Sequence, residues 1–416
     1  MNGPPPVIAE ASPALPLESR GKSGSMRRLF AILLSLCLAL FLADAVVSLA
    51  DDSLIVFFGL HILSLLRGLL AVAAMLMGLG VYVLIGMTPM VPKRLFLPIP
   101  FYYLGAMLAV FPLSIYWYHH LQWIAAGISV GQVILAIAIL NWSRRGSKFS
   151  WPWVSVDSLG ARGFSGWNSS VFALANIFVL LPAVMVFLFV CTAQAVGHFS
   201  EGFMALHPSG FTVQVRKYVR DDGKTIELFP MAHVANASFY QEVSRTFPTN
   251  SLVLMEGVTD EKNLLTNKIS YQRMAKSLGL AEQKETFDPA RAEVVPADVD
   301  VARFSKGTID FLNLVMLIHA QGLNAGNVSK LMQFPASPQF EQQLFDDLLR
   351  MRNEHLLQEI QAQLPVSDEI MVPWGVAHMP GIAREIEKSG FHLVETREYQ
   401  LIRFQGAKKQ SSTAEH

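Results

Sequence analysis

The sequence predicts a two-part protein: an N-terminal all-α, multi-pass membrane region of about five transmembrane helices, then an α/β (α+β) domain with a mixed central sheet. Three observations lead there. Of 416 residues, 52% are hydrophobic and only 16% charged, yet the long apolar runs all fall before residue 197. Beyond that point, short strand-like runs alternate with stretches of helical spacing. Finally, two of these later units, Ile226 to Val258 and Asp368 to Phe404, share one plan of strand, helix and strand, with a histidine just past the first strand of each.

Residues 1–26 are rich in Pro, Ser, Ala and Gly without apolar periodicity, which predicts a disordered tail. The membrane region is expected over 27–196. Leu29 to Ala50 is apolar and long enough to cross a hydrocarbon core of roughly 30 Å. Asp51 and Asp52 are expected to separate it from the run Leu54 to Met87, whose span should start near Arg67, a residue able to snorkel. Further spans are expected at Leu95 to Tyr118, Leu121 to Leu140 and Val171 to Val196, with a loop at 141–168 between the last two. Asp44 and Arg67 are the charges inside the apolar runs, and both are expected near span ends, as in a simple anchor.

Basic residues set the orientation. Arg27 and Arg28 follow the tail, Lys93 and Arg94 follow the second span, and Arg144, Arg145, Lys148 and Arg162 lie in the loop at 141–168. The positive-inside rule makes the N-terminus and that loop cytoplasmic, and an odd number of spans then places residues 197–416 outside. The expectation is a multi-pass protein of the plasma (inner) membrane with the lipid bilayer as its partner. Formal net charge is zero, with no Lys/Arg-rich block, so nucleic acid is not an expected partner. Cys37 and Cys191 both lie in apolar runs, so the second half has no thiol to offer a metal or a disulfide.

In that half, Phe211 to Tyr218 and Thr225 to Phe229 read as a hairpin turned by Asp221-Asp222-Gly223. Ala235 to Phe247 has helical spacing, and Ser251 to Met255 is the next strand. Asp260 to Leu278 is expected to be a polar helix stopped by Gly279, and Glu293 to Val299 a short strand. Asp298 and Asp300, if extended, share a face. Residues 304–334 read as helical, with His319 a packed core histidine. Phe340 to Leu364 is a helix whose apolar stripe, Leu344, Leu348, Leu349, Leu356 and Ile360, is interrupted by Arg352, expected either to point into a polar cavity or a carboxylate or to lie at the stripe's edge in a surface ion pair. Glu369 to Val372, Pro380 to Lys388 and Leu393 to Phe404 complete the second unit.

Residues just past the ends of neighbouring strands converge on one crevice. His233, Glu256 and His378 occupy such places, and two imidazoles with a carboxylate and no cysteine suit Zn²⁺, Mn²⁺ or Co²⁺. Whether Glu256 is a ligand or a general base stays open at this level.

The order Pro230-Met231-Ala232-His233, then Leu254-Met255-Glu256, Arg352-Asn353 and Gly375-Val376-Ala377-His378 resembles the TraB/Tiki (GumN-like) superfamily over residues 211–404. That family carries its histidines in Gly-x-x-His motifs. The second copy here fits, and the first departs with Pro230 in place of glycine. The resemblance implies a Tiki/TraB-like fold and a membrane-tethered, metal-dependent hydrolase, a peptidase acting on peptide or protein outside the cell with manganese or cobalt. It implies metal ligands among His233, Glu256 and His378, with Asp298 or Asp300 as a further acid, and Glu256, Arg352 and Asn353 as catalytic residues. The alternatives are a non-catalytic peptide- or pheromone-binding protein and a membrane scaffold with a vestigial domain.

Overall fold

The structure, a computed structural model, describes residues 17–143, 151–160, 163–249, 251–266, 271–289, 292–322, 324–334 and 339–404. It divides into two units, Met1–Cys191 and Thr192–His416.

Among the described residues, four helical runs are long and apolar enough to cross a membrane: Gly24–Phe58, Ser64–Met87, Lys93–Ser143 and Gly166–Phe199. The third holds two of the expected spans. At 51 residues a straight helix would be about 76 Å long, but the run breaks at a 3-10 turn, Tyr118–His120. The Tyr102 hydroxyl donates to the Ile128 carbonyl at 2.6 Å. A straight helix would hold residues so spaced about 39 Å apart, so the chain turns back on itself. Many side chains of Ser64–Met87 remain exposed and apolar, including Leu65, Leu69, Leu76, Leu79 and Val83, as a lipid-facing helix requires.

The first helix differs from expectation. It runs Leu17–Phe58, so Asp51 and Asp52 lie inside it and do not separate two spans. All three aspartates of this helix are buried, Asp44 at 2%, Asp51 at 1% and Asp52 at 0% exposure. Partners on other helices make this tolerable. Arg67 forms ion pairs with Asp51 and Asp52, Ser129 donates to Asp52, and Ser64 donates to Asp51. Asp44 accepts from the Tyr103 hydroxyl at 2.8 Å and the Gln132 amide at 2.7 Å. Spacing alone showed an acidic interruption; the helix continues because its acids share one face and meet donors there. Within the expected loop, Val154 and Leu159 are buried in this unit's core, and Arg27 donates to the carbonyls of Val156 and Leu159. Arg144, Arg145, Lys148 and Arg162, on which much of the orientation argument rests, lie outside the described residues, as do residues 1–16 of the tail.

Among its described residues the second unit has nine strands: β1 (Met204–His207), β2 (Gly210–Val219), β3 (Thr225–Met231), β4 (Val234–Ala235), β5 (Leu252–Met255), β6 (Ala281–Glu282), β7 (Glu293–Pro296), β8 (Glu369–Gly375) and β9 (His392–Arg403). Seven form one mixed sheet in the order β1-β2-β3-β8-β5-β7, with β9 also paired to β2. The neighbours β3, β8, β5 and β7 run parallel, whereas β2 pairs antiparallel with β1, β3 and β9. β4 and β6 make a separate two-stranded ladder.

The central strands are buried on both faces. In β8, Ile370, Val372 and Trp374 join the helices Met351–Gln363 and Met379–Lys388 through Leu356, Ile360, Ile382 and Ile386. Met371, pointing the other way, belongs to a second cluster with Phe239, Tyr240 and Val243 of the helix Ala237–Thr246. The result is a helix, sheet, helix layering around parallel strands, as near-continuous apolar strand sequences demand.

Two helices depart from their expected extents. Among the described residues of Asp260 to Leu278, the helix covers Gln272–Leu278. The Asp260 carboxylate accepts from the backbone N–H groups of Leu264 and Leu265 at 2.7 and 2.9 Å, holding a turn where a helix would start. The expected helix Phe340 to Leu364 forms as Phe340–Phe345 and Met351–Gln363, joined by a π turn at Asp346–Arg350. Such turns shift the helical register, and this one ends two residues before Arg352.

Candidate functional site

Parallel strands end at the same edge of a sheet, so the four segments that follow them share that edge. His233 follows β3, His378 follows β8, Glu256 follows β5 and Asp298 follows β7, in the order in which those strands lie side by side. The helix Met351–Gln363 brings Arg352 and Asn353 to them from one face.

The centre of the cluster is charged and buried. Arg352 donates through Nε and Nη2 to Asp298 at 3.0 and 2.7 Å, a two-pronged pairing, and through Nη2 to Glu256 Oε1 at 2.7 Å. Side-chain exposure is 13% for Arg352, 11% for Glu256 and 0% for Asp298. Removing three charges from water is costly unless geometry and hydrogen bonds compensate, and the planar guanidinium fork supplies both. Burial works against the Arg352 charge, but Asp298 and Glu256 outweigh it and raise its pKa above the ordinary arginine value.

Glu256 is fixed at its second oxygen as well: the Gly375 backbone N–H donates to Oε2 at 2.5 Å. A Cβ at 375 would stand 3.3 Å from that oxygen and 3.6 Å from the His378 ring, so a larger residue there would have to push the carboxylate aside by a few tenths of an ångström. Gly381 has the same role for Asn353, whose amide nitrogen lies 2.6 Å from where a Cβ would stand.

His378 is 4% exposed. Its Nδ1 pairs with Asn353 Oδ1 at 2.6 Å. An amide oxygen only accepts, so Nδ1 carries the proton and Nε2 keeps its lone pair. That Nε2 lies 3.6 Å from Glu256 Oε1. The imidazole pKa is pushed down to about 4, first by burial, then by the Arg352 charge and that of His233, with Glu256 and Asp298 opposing. His378 is therefore neutral at pH 7. Protonating it there would cost about 4 kcal/mol, at roughly 1.4 kcal/mol per pH unit, which disfavours general-base work and suits a ligand held in one tautomer by its other nitrogen.

An unfolded histidine titrates near its ordinary value of 6.5 and the folded one near 4, so between those values the unfolded chain binds the extra proton. In the chelator-treated protein, stability should be constant on this account above pH 6.5 and fall by about 3 kcal/mol in all as pH drops to 4. Denaturant unfolding at several pH values should show this slope in the wild type and lose it in His378→Gln.

The structure separates the remaining expected residues. His233 is exposed, its ring stacked on Tyr271 at 4.9 Å and 10°, and its position is set by Gln283 N–H donating to its carbonyl at 2.9 Å. Pro230 causes no break before it. Pairing of β3 with β2 ends at Leu228, Val376 N–H meets the Met231 carbonyl, and residue 230, on the alternate side of the strand, needs no donor. Asp300 is not brought to the cluster. Its carboxylate accepts from Thr259, Glu261 and Ala302, and the Glu261 and Ala302 amides and the Thr259 hydroxyl hold its pKa below the usual carboxylate range. It caps a turn because Val299 intervenes and the chain leaves extended structure there. His319 is exposed, with its ring against Tyr271, and is not the packed core residue that its apolar neighbours suggested. Tyr271 and Trp374, whose ring lies under Arg352 at 5.5 Å, carry no sequence motif that would have singled them out.

No protein-family model matches the chain, and no curated protein or solved structure matches it.

Geometry and donor chemistry bear differently on a metal. Among the described residues no three His, Cys, Asp or Glu side chains stand together closely enough to hold an ion. Two donors do converge, His378 Nε2 and Glu256 Oε1. The carboxylates outnumber the guanidinium by one, leaving a net negative charge for a cation, and His378 is neutral with its outer nitrogen engaged. These donor types fit a borderline divalent ion, with His233, which follows the neighbouring strand β3, as a further imidazole.

Proposed function

We propose that the second unit is a metal-dependent hydrolase of the TraB/Tiki kind, tethered by the first unit and facing outside the cytoplasm. The observation that carries this reading is the state of His378: neutral, buried, pinned through Nδ1 by Asn353, and presenting Nε2 beside Glu256 where four parallel strands end. His378, Glu256 and His233 would hold the ion. When bound, a divalent metal supplies Lewis acidity toward a carbonyl substrate such as a peptide.

The chain's own residues do the rest. Asn353 fixes the His378 tautomer. Gly375 and Arg352 hold Glu256 in one orientation, and Arg352, kept cationic by Asp298, supplies positive charge for an oxyanion or a substrate carboxylate. Asp298 acts through Arg352 and touches no substrate in this reading. One observation favours the non-catalytic binding alternative: Arg352 is already satisfied by two carboxylates, as in a purely structural network.

Topology has its own test. A periplasmic-type reporter fused after Val196 should be active only outside the cytoplasm, and one fused near Gly146 only inside. The reverse pattern would overturn the outside placement. Hydrolysis of a peptide library by the purified full chain, abolished by chelator and restored by Mn²⁺ or Co²⁺, supports the enzyme reading; absence of any cleavage with metal bound supports the binding alternative.

A further inference from the structure

We propose that Tyr271 is a positioning residue of the candidate site, its ring holding the His233 imidazole in one orientation at the carboxyl end of β3. This rests on the reading of His233 as a site residue. Among the described residues, His378 and Glu256 are the two donors that converge, so how an exposed His233 is held decides whether a third donor is available.

The two rings are stacked nearly parallel, 10° apart, with centroids at 4.9 Å. Stacking of this kind restricts a side chain that would otherwise rotate freely in water. Tyr271 is itself tied to the segment that carries His233. Its backbone N–H donates to Glu282 Oε1 at 2.9 Å, and buried Glu282 lies on β6, opposite Val234, the residue after His233. The next residue, Gln283, donates to the His233 carbonyl. Both stacked residues thus hang from one short ladder. The Tyr271 ring is also met by His319 at 5.6 Å, giving an imidazole, phenol, imidazole series.

Core packing does not account for Tyr271, which belongs to none of the apolar clusters among the described residues. Its phenol pKa is raised by burial first, then by the charges of Glu282 and Glu256, which places it within electrostatic reach of the site carboxylate.

The test uses the full chain in detergent with carbon-13 at histidine Cε1, the His233 resonance being identified among 11 histidines by its loss in His233→Gln. Tyr271→Ala should move that resonance to the position of a free histidine and weaken Co²⁺ binding by about tenfold or more. Tyr271→Phe, which keeps the ring, should leave both unchanged. An unmoved resonance in Tyr271→Ala, or a Phe variant as defective as the Ala variant, overturns the positioning role. Wild-type Co²⁺ affinity in His233→Gln is a separate failure, and it overturns the reading of the site on which the proposal rests.

Discussion

Replacing Arg352 with alanine is expected to destabilise the second unit by roughly 3–5 kcal/mol, because it leaves buried charges without their partner. Asp298 is fully buried and Glu256 nearly so, and Arg352 is the cation paired with both. Without it the two carboxylates face each other in a poorly hydrated site, and at least one must take up a proton. Lysine should not rescue the loss. An ammonium is a point charge, whereas Asp298 is met at both oxygens by a planar fork that also reaches Glu256. Denaturant unfolding of Arg352→Ala and Arg352→Lys in the full chain, followed at pH 5 and 8, measures this. If the alanine variant unfolds like the wild type, the clamp is not what orders the site.

Glu256→Gln should have the largest effect on activity. The substitution preserves shape and removes charge, so it separates two roles. A general base would keep the metal and lose roughly 10²- to 10⁴-fold in rate. A ligand would lose metal affinity together with rate. Glu256 Oε1 lies beside His378 Nε2, and Oε2 is fixed by the Gly375 N–H, so the ligand outcome is expected. Parallel measurement of turnover and metal affinity in this variant distinguishes them, and full retention of both would leave the hydrolase account without its carboxylate.

Much of this arrangement was legible because strand ends are. The apolar runs ending before His233, Glu256 and His378 marked three residues at one sheet edge, of which Glu256 and His378 meet, and an arginine on an apolar helical stripe pointed to a polar cavity or a carboxylate for Arg352. Which carboxylate was not legible. Asp298 and Asp300 differ by two positions in sequence, but the chain turns between them, and turn geometry depends on Thr259 and Glu261 from a distant segment. His319 was misread for a related reason: apolar neighbours in sequence do not say which face of a helix is covered. The first helix taught the same lesson in the membrane unit, since Asp51 and Asp52 break an apolar run only until Arg67 and Ser129 meet them. The run Lys93–Ser143 breaks at Tyr118–His120, where His119 and His120 marked a turn in the sequence.

The central claim, that His378 and Glu256 form the heart of a metal site, is tested most directly by calorimetric titration of Mn²⁺, Co²⁺ and Zn²⁺ into the metal-stripped full chain and its His378→Ala variant. Saturable binding in the wild type that disappears in His378→Ala, with circular dichroism unchanged, is the predicted result. Equal binding by both proteins, or none by the wild type, would contradict it.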